Sequence, residues 1–417
     1  MAEKPKVLMI ITLDTKELEA KFIRDCLEEH GLDVIHMDAS IRRTIDGGAA
    51  IGPDQIAAAA GTTMAEVRAI GHEGKCQGVM IEGAVKCALD LHAQVGLSGV
   101  IGMGGSMGTS LITAVMRSLP FGLPKLVIST MVSGFTKGFI GTKDIVMVPS
   151  VADISGLNSI TRSVFRNGAL ALAGMANEYH PPTPSEKPLV ALTTLSVIDK
   201  CTVRVRKALE AKGFEVVVFH TQGTGGLAMD EIVRERDVAV VVDTSLVEVM
   251  DFLYDGLCSA GPERCKAALE KGVPTVFAPG CIDFLIAGPL EDAKRRFPGK
   301  RYHIHNNILT AARTGTVELN HFADHMAGLI KEAKGPVAFY VPLKGFSSHD
   351  SEEGHLHEPS LPPVFSEHLK QVMPDGVPVV ELPRHINDPE FADAIVAQVL
   401  AFHRAKTSER RVAASKH

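Results

Sequence analysis

Two stretches of the chain repeat the same order of apolar and polar positions. One is KVLMIITLDTKELEAKFIRDCLEEHGLDVIHMD from Lys6, and the other is PLVALTTLSVIDKCTVRVRKALEAKGFEVVVFHT from Pro188. In each, an apolar run ends in Thr-Leu, a helical pattern follows, and Gly31 or Gly213 precedes a second apolar run. A glycine there is typical of the left-handed residue that ends a helix, and continuous β-branched runs are typical of buried parallel strands. Each copy therefore predicts strand, helix, strand.

Further apolar runs of strand length follow in both halves of the chain. They are GVMIEG (78–83), GVIGMGG, KLVIST and DIVMVPS in the first half, and VAVVVDT, TVFAPG, PVAFYVPL and VPVVEL in the second. Helical patterns separate most of them, so we predict an α/β fold of two Rossmann-like, doubly wound domains related by internal duplication. Right-handed crossovers place the carboxyl ends of the strands at one edge of each sheet, and we expect a ligand cleft between the domains.

The domain boundaries follow from proline content and from the end of the apolar pattern. We predict an N-terminal domain over residues 1–180, a proline-rich linker over 181–188 and a C-terminal domain over 189–404. The remaining residues, 405–417, lack an apolar pattern, so we expect a disordered tail.

Composition narrows the class of partner. The 43 Lys and Arg residues against 49 Asp and Glu give a net charge of -6, without a basic block for nucleic acid or a membrane surface. No apolar run approaches the length of a membrane span, and the seven scattered cysteines include no C-x-x-C pair. We therefore expect a cytoplasmic protein with neither nucleic acid nor membrane as a partner. We also expect a small-molecule ligand and a homo-oligomer.

The run IGMGGSMGTS places a glycine-rich turn between a strand and a helix. The first N–H groups of a helix have no internal partner and favour an anion, while glycine lets a ligand approach the backbone. The spacing fits neither a Walker A motif nor the dinucleotide motif. Anion binding and close packing with a Ser106 cap both remain open. The binding candidates are Gly104, Gly105, Ser106, Gly108 and Thr109.

A second polar cluster, ITLDTKELE, follows the first strand and belongs at the same edge of the sheet. Lys16 offers a cation to a polyphosphate, and Asp14 can reach magnesium directly or through water. Asp14 and Glu17 also make a helix capping pair, which is a purely structural explanation. The candidates here are Thr12, Asp14, Thr15 and Lys16.

The second half of the chain carries polar residues after several of its strands. HTQGTGGLAMDE can form another oxyanion turn or a plain loop, and Asp243 can bind a hydroxyl or cap a helix. Arg313 can clamp a carboxylate or phosphate, or pair with Glu318 at the surface. The substrate-binding candidates are Gly225, Gly226, Asp243, Thr244, His305, Asn306, Arg313, Thr314, Lys344 and Ser347, and the catalytic candidates are Lys16, Arg313 and Asp350.

The loop LKGFSSHDSEEGHLHE is the densest polar segment. His349, His355 and His357 are residue types that bind a divalent metal together with nearby carboxylates, but no metal-site spacing is matched in full. A solvated loop or a lid is the other interpretation. The metal assignment therefore stays unknown. No nucleophile elbow supports a Ser-His-Asp triad.

Six ordered motifs together resemble a known family. They are LDTKELE, GGSMGTS, DISGLNSITRSVFRNGALALAGM, HIHNNILTAARTGTVE, PLKGFSSHD and ELPRHINDPEFADAIV, and the resemblance runs from Lys6 to Phe402. The family is the Tm-one-like ATP-binding domain, largely uncharacterised bacterial and fungal proteins related to the N-terminal region of the tomato mosaic virus resistance protein. The resemblance implies two Rossmann-like subdomains and an ATP site with magnesium in the N-terminal domain.

The motifs and the resemblance together lead to one preferred function and two alternatives. We expect an ATP- and magnesium-binding two-domain protein that acts as an enzyme on a small acidic metabolite, with the reaction unknown. A nucleotide-responsive binding or oligomerising protein without catalysis is the first alternative. A sugar-acid or keto-acid enzyme that uses no nucleotide is the second.

Overall fold

The structure is a computed structural model that describes residues 3–45, 47–134, 136–183 and 185–414. The chain forms two compact units, Met1–Thr183 (unit 1) and Pro184–His417 (unit 2). The proposed linker at 181–188 includes residue 184, which lies outside the described residues. In the part of the chain that is described, no helix has the length and apolarity needed to cross a membrane.

Unit 1 is built on a five-stranded parallel sheet. Its order is β2-β1-β3-β4-β5, so the chain adds one strand on one side of β1 and the rest on the other. β3 and β4 are buried along their whole length, as their continuous apolar runs predict. The strands are β1 (Lys6–Ile10), β2 (Asp33–Met37), β3 (Gly99–Gly104), β4 (Lys125–Ser129) and β5 (Val146–Pro149).

Helices cover both faces of the unit 1 sheet, which makes it doubly wound. α1 and α7 pack on one face, and α2, α4 and α5 pack on the other. The helices are α1 (Leu13–Glu29), α2 (Pro53–Ala59), α3 (Met64–Ala69), α4 (Glu73–Val95), α5 (Ser106–Ser118), α6 (Lys137–Ile140) and α7 (Ser159–Asn177).

The strand predicted at residues 78–83 is wrong, because these residues lie inside α4. The helical pattern is carried by Met80, Ala84 and Ala88, which are buried at helical spacing. Gly83 permits the close contact with α2, since a Cβ at this position would lie 1.9 Å from the carbonyl oxygen of Ile56. A short apolar run can belong to a buried helix face as well as to a strand.

Unit 2 repeats the strand order of unit 1 with one more strand. Its parallel sheet runs β14-β13-β9-β8-β6-β7, so its first three strands have the same arrangement as those of unit 1. This agreement supports internal duplication. The strands are β6 (Leu189–Thr194), β7 (Glu215–His220), β8 (Val238–Ser245), β9 (Thr275–Gly280), β13 (Val337–Pro342) and β14 (Val379–Leu382).

Unit 2 also contains a small antiparallel sheet that the sequence patterns did not predict. The sheet has the order β10-β12-β11 and consists of β10 (Phe284–Ala287), β11 (Tyr302–Ile304) and β12 (Thr310–Arg313). These strands are three or four residues long, and β11 exposes Ile304. Segments this short carry little periodicity.

Helices cover both faces of the unit 2 parallel sheet. α8 and α15 pack on one face, while α9, α10, α11, α13 and α14 pack on the other. The helices are α8 (Asp199–Glu210), α9 (Gly225–Glu235), α10 (Val247–Leu253), α11 (Lys266–Lys271), α12 (Leu290–Arg296), α13 (Thr316–Lys331), α14 (Leu361–Val372) and α15 (Pro389–Ala414).

The C-terminal segment differs from the expected disordered tail. α15 continues through residues 405–414, so most of the segment 405–417 is helical, and residues 415–417 lie outside the described chain. The amine of Lys406 donates to the carbonyl oxygen of Val238 over 3.0 Å and lies 3.7 Å from a carboxylate oxygen of Asp237. The tail prediction relied on the absence of an apolar pattern. Polar residues that extend a packed helix also lack such a pattern, so the two cases look alike in the sequence.

Candidate functional site

A cavity of about 360 Å³ opens at the carboxyl edge of the unit 1 sheet, where the chain changes direction between β1 and β3. Open parallel sheets bind ligands at this switch in strand order. The volume lies within the range of about 300–1,000 Å³ that small-molecule sites occupy. The lining residues include Thr12, Asp14, Thr15, Lys16, Arg42, Glu73, Gln77, Gly104, Gly105, Ser106, Met107 and Gly108.

The N-terminus of α5 forms one wall of this cavity. Gly105 is the N-cap residue, and within the described residues no side chain hydrogen-bonds to the first turn as a cap. The first N–H groups of the helix therefore face the cavity region with the positive end of the helix dipole. This arrangement is suited to an anion.

The two glycines of the turn serve different purposes. A Cβ on Gly104 would lie 2.8 Å from the Cα of Gly108, so packing of β3 against α5 requires glycine there. A Cβ on Gly105 would meet only the hydroxyl of Thr130, at 3.8 Å. Packing therefore does not explain the glycine at position 105, whereas close approach of a ligand to the backbone does.

Acidic and basic side chains also line this cavity. The amine of Lys16 donates to the carbonyl oxygen of Ile154 over 3.2 Å, and a guanidinium nitrogen of Arg42 lies 3.1 Å from a carboxylate oxygen of Glu73. A carboxylate oxygen of Asp14 accepts the N–H of Arg42 over 3.2 Å. The Arg42–Glu73 pair is exposed, so its ion pairing is worth little and a ligand can compete for Arg42.

Asp38 ties together the loops that carry these groups. One of its carboxylate oxygens accepts the N–H groups of Leu13 and Ser40, each over 3.0 Å. The hydroxyl of Ser40 in turn accepts the N–H of Asp14 over 3.0 Å. Because Asp38 and Ser40 are fully buried, these contacts fix the start of α1 against the end of β2.

The structure brings together eight of the nine residues predicted for the nucleotide site. The exception is Thr109, which is fully buried, lies 2.6 Å from the hydroxyl of Ser129 and donates to the carbonyl oxygen of Gly104. The sequence reasoning missed Arg42, which follows β2 and obeys the same strand-end rule. It also missed Glu73 and Gln77, which lie in the first turns of α4, just before the stretch 78–83 that was predicted as a strand.

The second glycine-rich turn already holds an internal anion. The carboxylate of Glu248 accepts the N–H of Gly223 over 2.8 Å and that of Gly226 over 3.1 Å. Arg264 donates to the same carboxylate over 2.8 Å and to Asp243 over 2.6 Å. A Cβ on Gly226 would lie 1.9 Å from Arg264, so this buried ion network explains the glycine.

Arg313 and Asp350 form a buried pair in unit 2. A guanidinium nitrogen of Arg313 donates to Asp350 over 3.1 Å, and another donates to the carbonyl oxygen of Asp283 over 2.8 Å. The hydroxyl of Ser347 donates to a carboxylate oxygen of Asp283 over 2.7 Å. Burial, together with the neighbouring Asp283, raises the pKa of Asp350 to about 7. These predicted residues meet as a network in the interior.

The remaining predicted residues of unit 2 are dispersed. Thr244 and Thr314 donate their hydroxyls to backbone carbonyl oxygens, Asn306 accepts two N–H groups within its own turn, and Lys344 is exposed. His305 lines a separate cavity. Over the described ranges, no group of three or more His, Cys, Asp or Glu side chains is arranged to hold a metal ion.

Known proteins similar to this chain include bacterial and plant relatives. A UPF0261 protein of Clostridium tetani is 35% identical over 399 residues, which cover 95% of this chain and 98% of that protein. The ToMV resistance protein Tm-1(GCR237) of Solanum lycopersicum is 36% identical over 312 residues, or 73% of this chain and 41% of that protein. The match therefore spans less than half of the tomato protein, and the resemblance to Tm-one-like proteins is confirmed.

A solved structure of MurG from Acinetobacter baumannii covers 67% of this chain and 80% of its own at 15% identity, but its TM-score of 0.22 supports no argument. Two family models, the N-terminal and C-terminal domains of the uncharacterised protein family UPF0261, match residues 5–181 and 187–403. Their extents follow the two structural units. The chain therefore belongs to the UPF0261 family.

Proposed function

We propose that unit 1 binds ATP with magnesium in the cavity between the ends of β1 and β3, and that the protein is an enzyme acting on a small acidic metabolite. The observation that carries the proposal is the first turn of α5. It opens without a side-chain cap among the described residues, beside Lys16 and Arg42. Two cations and a helix N-terminus at one cavity are suited to a polyphosphate.

The residues of the cavity divide into a polar end and an apolar wall. The N–H groups of Ser106, Met107 and Gly108, with the hydroxyl of Ser106, are the donors for phosphate oxygens. The apolar wall is suited to the less polar part of a nucleotide. It comprises Ile10, Ala39, Ile41, Met103, Leu111 and Ile112.

Magnesium fits this site through carboxylates and phosphate together. Asp14 and Glu73 both line the cavity, and magnesium usually takes only one or two protein carboxylates beside substrate phosphates. A complete cage of protein ligands is therefore not required. When bound, ATP would supply a transferable phosphoryl group.

One contact favours a second candidate function, a nucleotide-responsive binding protein. The backbone of α1 is not helical at Lys16, and the amine of this residue bonds to the carbonyl oxygen of Ile154. A phosphate that attracts Lys16 would remove the partner of Ile154. The segment around Ile154 would then change its conformation with nucleotide state.

Thermal unfolding with and without ligand tests the proposal. ATP, ADP and simple phosphosugars, each with and without magnesium, are compared on the wild type and on Gly105→Asp. We expect ATP with magnesium to raise the melting temperature of the wild type and to raise that of the variant much less. A shift with phosphosugars alone would contradict ATP, and an equal shift in the variant would contradict the α5 site.

Release of ADP then separates the enzyme from the binding protein. The wild type is incubated with ATP, magnesium and a panel of small carboxylic acids, with the Gly105→Asp variant as the matched control. Acid-dependent ADP release in the wild type alone supports catalysis. Saturable ATP binding without such turnover supports the binding protein.

A further inference from the structure

Unit 2 contains its own cavity of about 310 Å³ at the carboxyl ends of β6 and β7. The strand order β7-β6-β8 in unit 2 corresponds to β2-β1-β3 in unit 1, so the cavity lies at the equivalent edge of the duplicated sheet. Residues after β6 and β7 form one side, and β10 and β12 of the small antiparallel sheet contribute the other. Such an edge is where doubly wound sheets bind ligands.

The chemistry of this cavity differs from that of the unit 1 cavity. None of the described residues lining it is an Asp, Glu, Lys or Arg. Most of its lining is apolar, including Leu195, Phe284 and Ile286. Its polar lining includes three imidazoles, those of His220, His305 and His349.

His349 is held as a neutral imidazole. Burial lowers its pKa to about 4, with the neighbouring His303, His305 and His355 adding to the effect. The ring of His303 lies 4.1 Å from that of His349, between ring centres. A neutral imidazole both donates and accepts a hydrogen bond, which suits an uncharged polar group.

Thr310 gives an independent indication of a ligand. Its side chain is fully buried and lines the cavity, and its hydroxyl has no hydrogen-bond partner among the described residues. A buried hydroxyl without a partner is costly, and each case calls for an explanation. A polar atom of a bound molecule would supply the missing hydrogen-bond partner of the Thr310 hydroxyl.

The buried network of unit 2 holds the turn that carries His349. The hydroxyl of Ser347 accepts the N–H of His349 over 3.1 Å while donating to Asp283. Asp350, the next residue, is paired with Arg313. Arg313, Ser347 and Asp350 thus act as positioning residues for His349, rather than lining the cavity themselves.

We infer that this cavity is a second small-molecule site, which takes an uncharged organic ligand with an apolar body and a polar atom that hydrogen-bonds to Thr310. Its lining residues belong to unit 2, so this inference does not depend on the proposed ATP site in unit 1. The imidazole of His349 is the second hydrogen-bonding group for the same ligand. An acidic ligand, such as a phosphate or a carboxylate, is a poor match because no Lys or Arg is among the described residues that line the cavity.

Cys258 lines the cavity and permits a direct test with reagents of matched size. Cys258 and Cys87 are the two described cysteines that are not fully buried, so Cys87→Ser leaves Cys258 as the reporter. Hydroxyethyl, sulfonatoethyl and trimethylammonioethyl methanethiosulfonates are the neutral, anionic and cationic probes. Each rate of labelling is divided by the rate with free 2-mercaptoethanol.

We expect the neutral probe to label Cys258 at least about tenfold faster than either charged probe, because a charge loses hydration in the cavity. In Leu309→Arg we expect the labelling rate of the anionic probe to increase relative to that of the neutral probe. In Leu309→Gln we expect the ratio of these two rates to stay unchanged. If a charged probe labels the Cys87→Ser protein as fast as the neutral probe, the inference is wrong. This ratio decides the question even where a Leu309 variant does not fold.

Discussion

Gly105→Asp separates the fold of the α5 turn from its binding of phosphate. Gly105 has the extended backbone of an N-cap residue, with φ -76 and ψ -162, and an added Cβ meets only Thr130, at 3.8 Å. Asp caps helices at least as well as Gly, so we expect the free energy of unfolding without ligand to change by no more than about 0.5 kcal/mol. The introduced carboxylate occupies the N–H groups that a phosphate requires.

The effect on phosphate binding is much larger. Two like charges about 4 Å apart repel by about 1 kcal/mol in water and about 4 kcal/mol near a protein surface. That corresponds to a loss of roughly fivefold to several hundredfold in ATP affinity, beyond the loss caused by the cap itself. Gly105→Asn is the matched control, because it has the same size and capping ability without the charge.

Urea unfolding and isothermal titration calorimetry with ATP and magnesium measure the two effects. We expect both variants to match the wild type in urea, and the Kd to increase in the order wild type, Asn, Asp. The reasoning about α5 is refuted if Asp and wild type bind ATP with the same Kd. It is also refuted if both variants lose stability by several kcal/mol, because position 105 would then require glycine for packing.

Three other predictions concern the fold and unit 2. Thr310→Val should raise the free energy of unfolding by about 1–3 kcal/mol in urea, since it removes an unpartnered buried hydroxyl; a loss of stability would contradict this. His349→Gln should lessen the loss of stability between pH 6.5 and about 4. The pKa of His349 is lowered on folding, so the wild type loses this contribution as the pH falls, and parallel acid-unfolding curves would refute the prediction. Within α4, Gly78→Ala should raise the free energy of unfolding by up to about 1 kcal/mol. Gly83→Ala should lower it by at least about 1–3 kcal/mol through its contact with Ile56. Similar urea midpoints for the two variants would contradict the packing of α2 on α4.

Much of the fold could be predicted from the sequence because its strands are continuous apolar runs with glycines after the helices. The duplicated segments from Lys6 and Pro188 both form strand, helix, strand, and the strand orders of the two sheets correspond. The small antiparallel sheet could not be found, since its strands are too short to show a period. Part of α4 was misread as a strand because Val79, Met80 and Ile81 are three apolar residues in succession, although only Met80 of them is buried.

The candidate site was predictable where its residues follow strands. Asp14, Lys16 and the turn from Gly104 to Gly108 meet at one cavity, because parallel strands end at one edge. The sequence could not predict that Glu248 binds the second glycine turn, because Glu248 lies 25 residues after Gly223 in the chain and local patterns do not show such a contact. Burial of Arg313 likewise depends on Asp350, 37 residues away in the chain.

Hydrogen exchange of the backbone amides tests the central claim most directly. The wild type is compared with and without ATP and magnesium, and exchange is followed at the first turn of α5. The account predicts slower exchange at Ser106, Met107 and Gly108 when the nucleotide binds, with no change at Gly223 and Gly226, whose N–H groups already bond to Glu248. Binding of ATP with unchanged exchange at α5, or no binding at all, would contradict it.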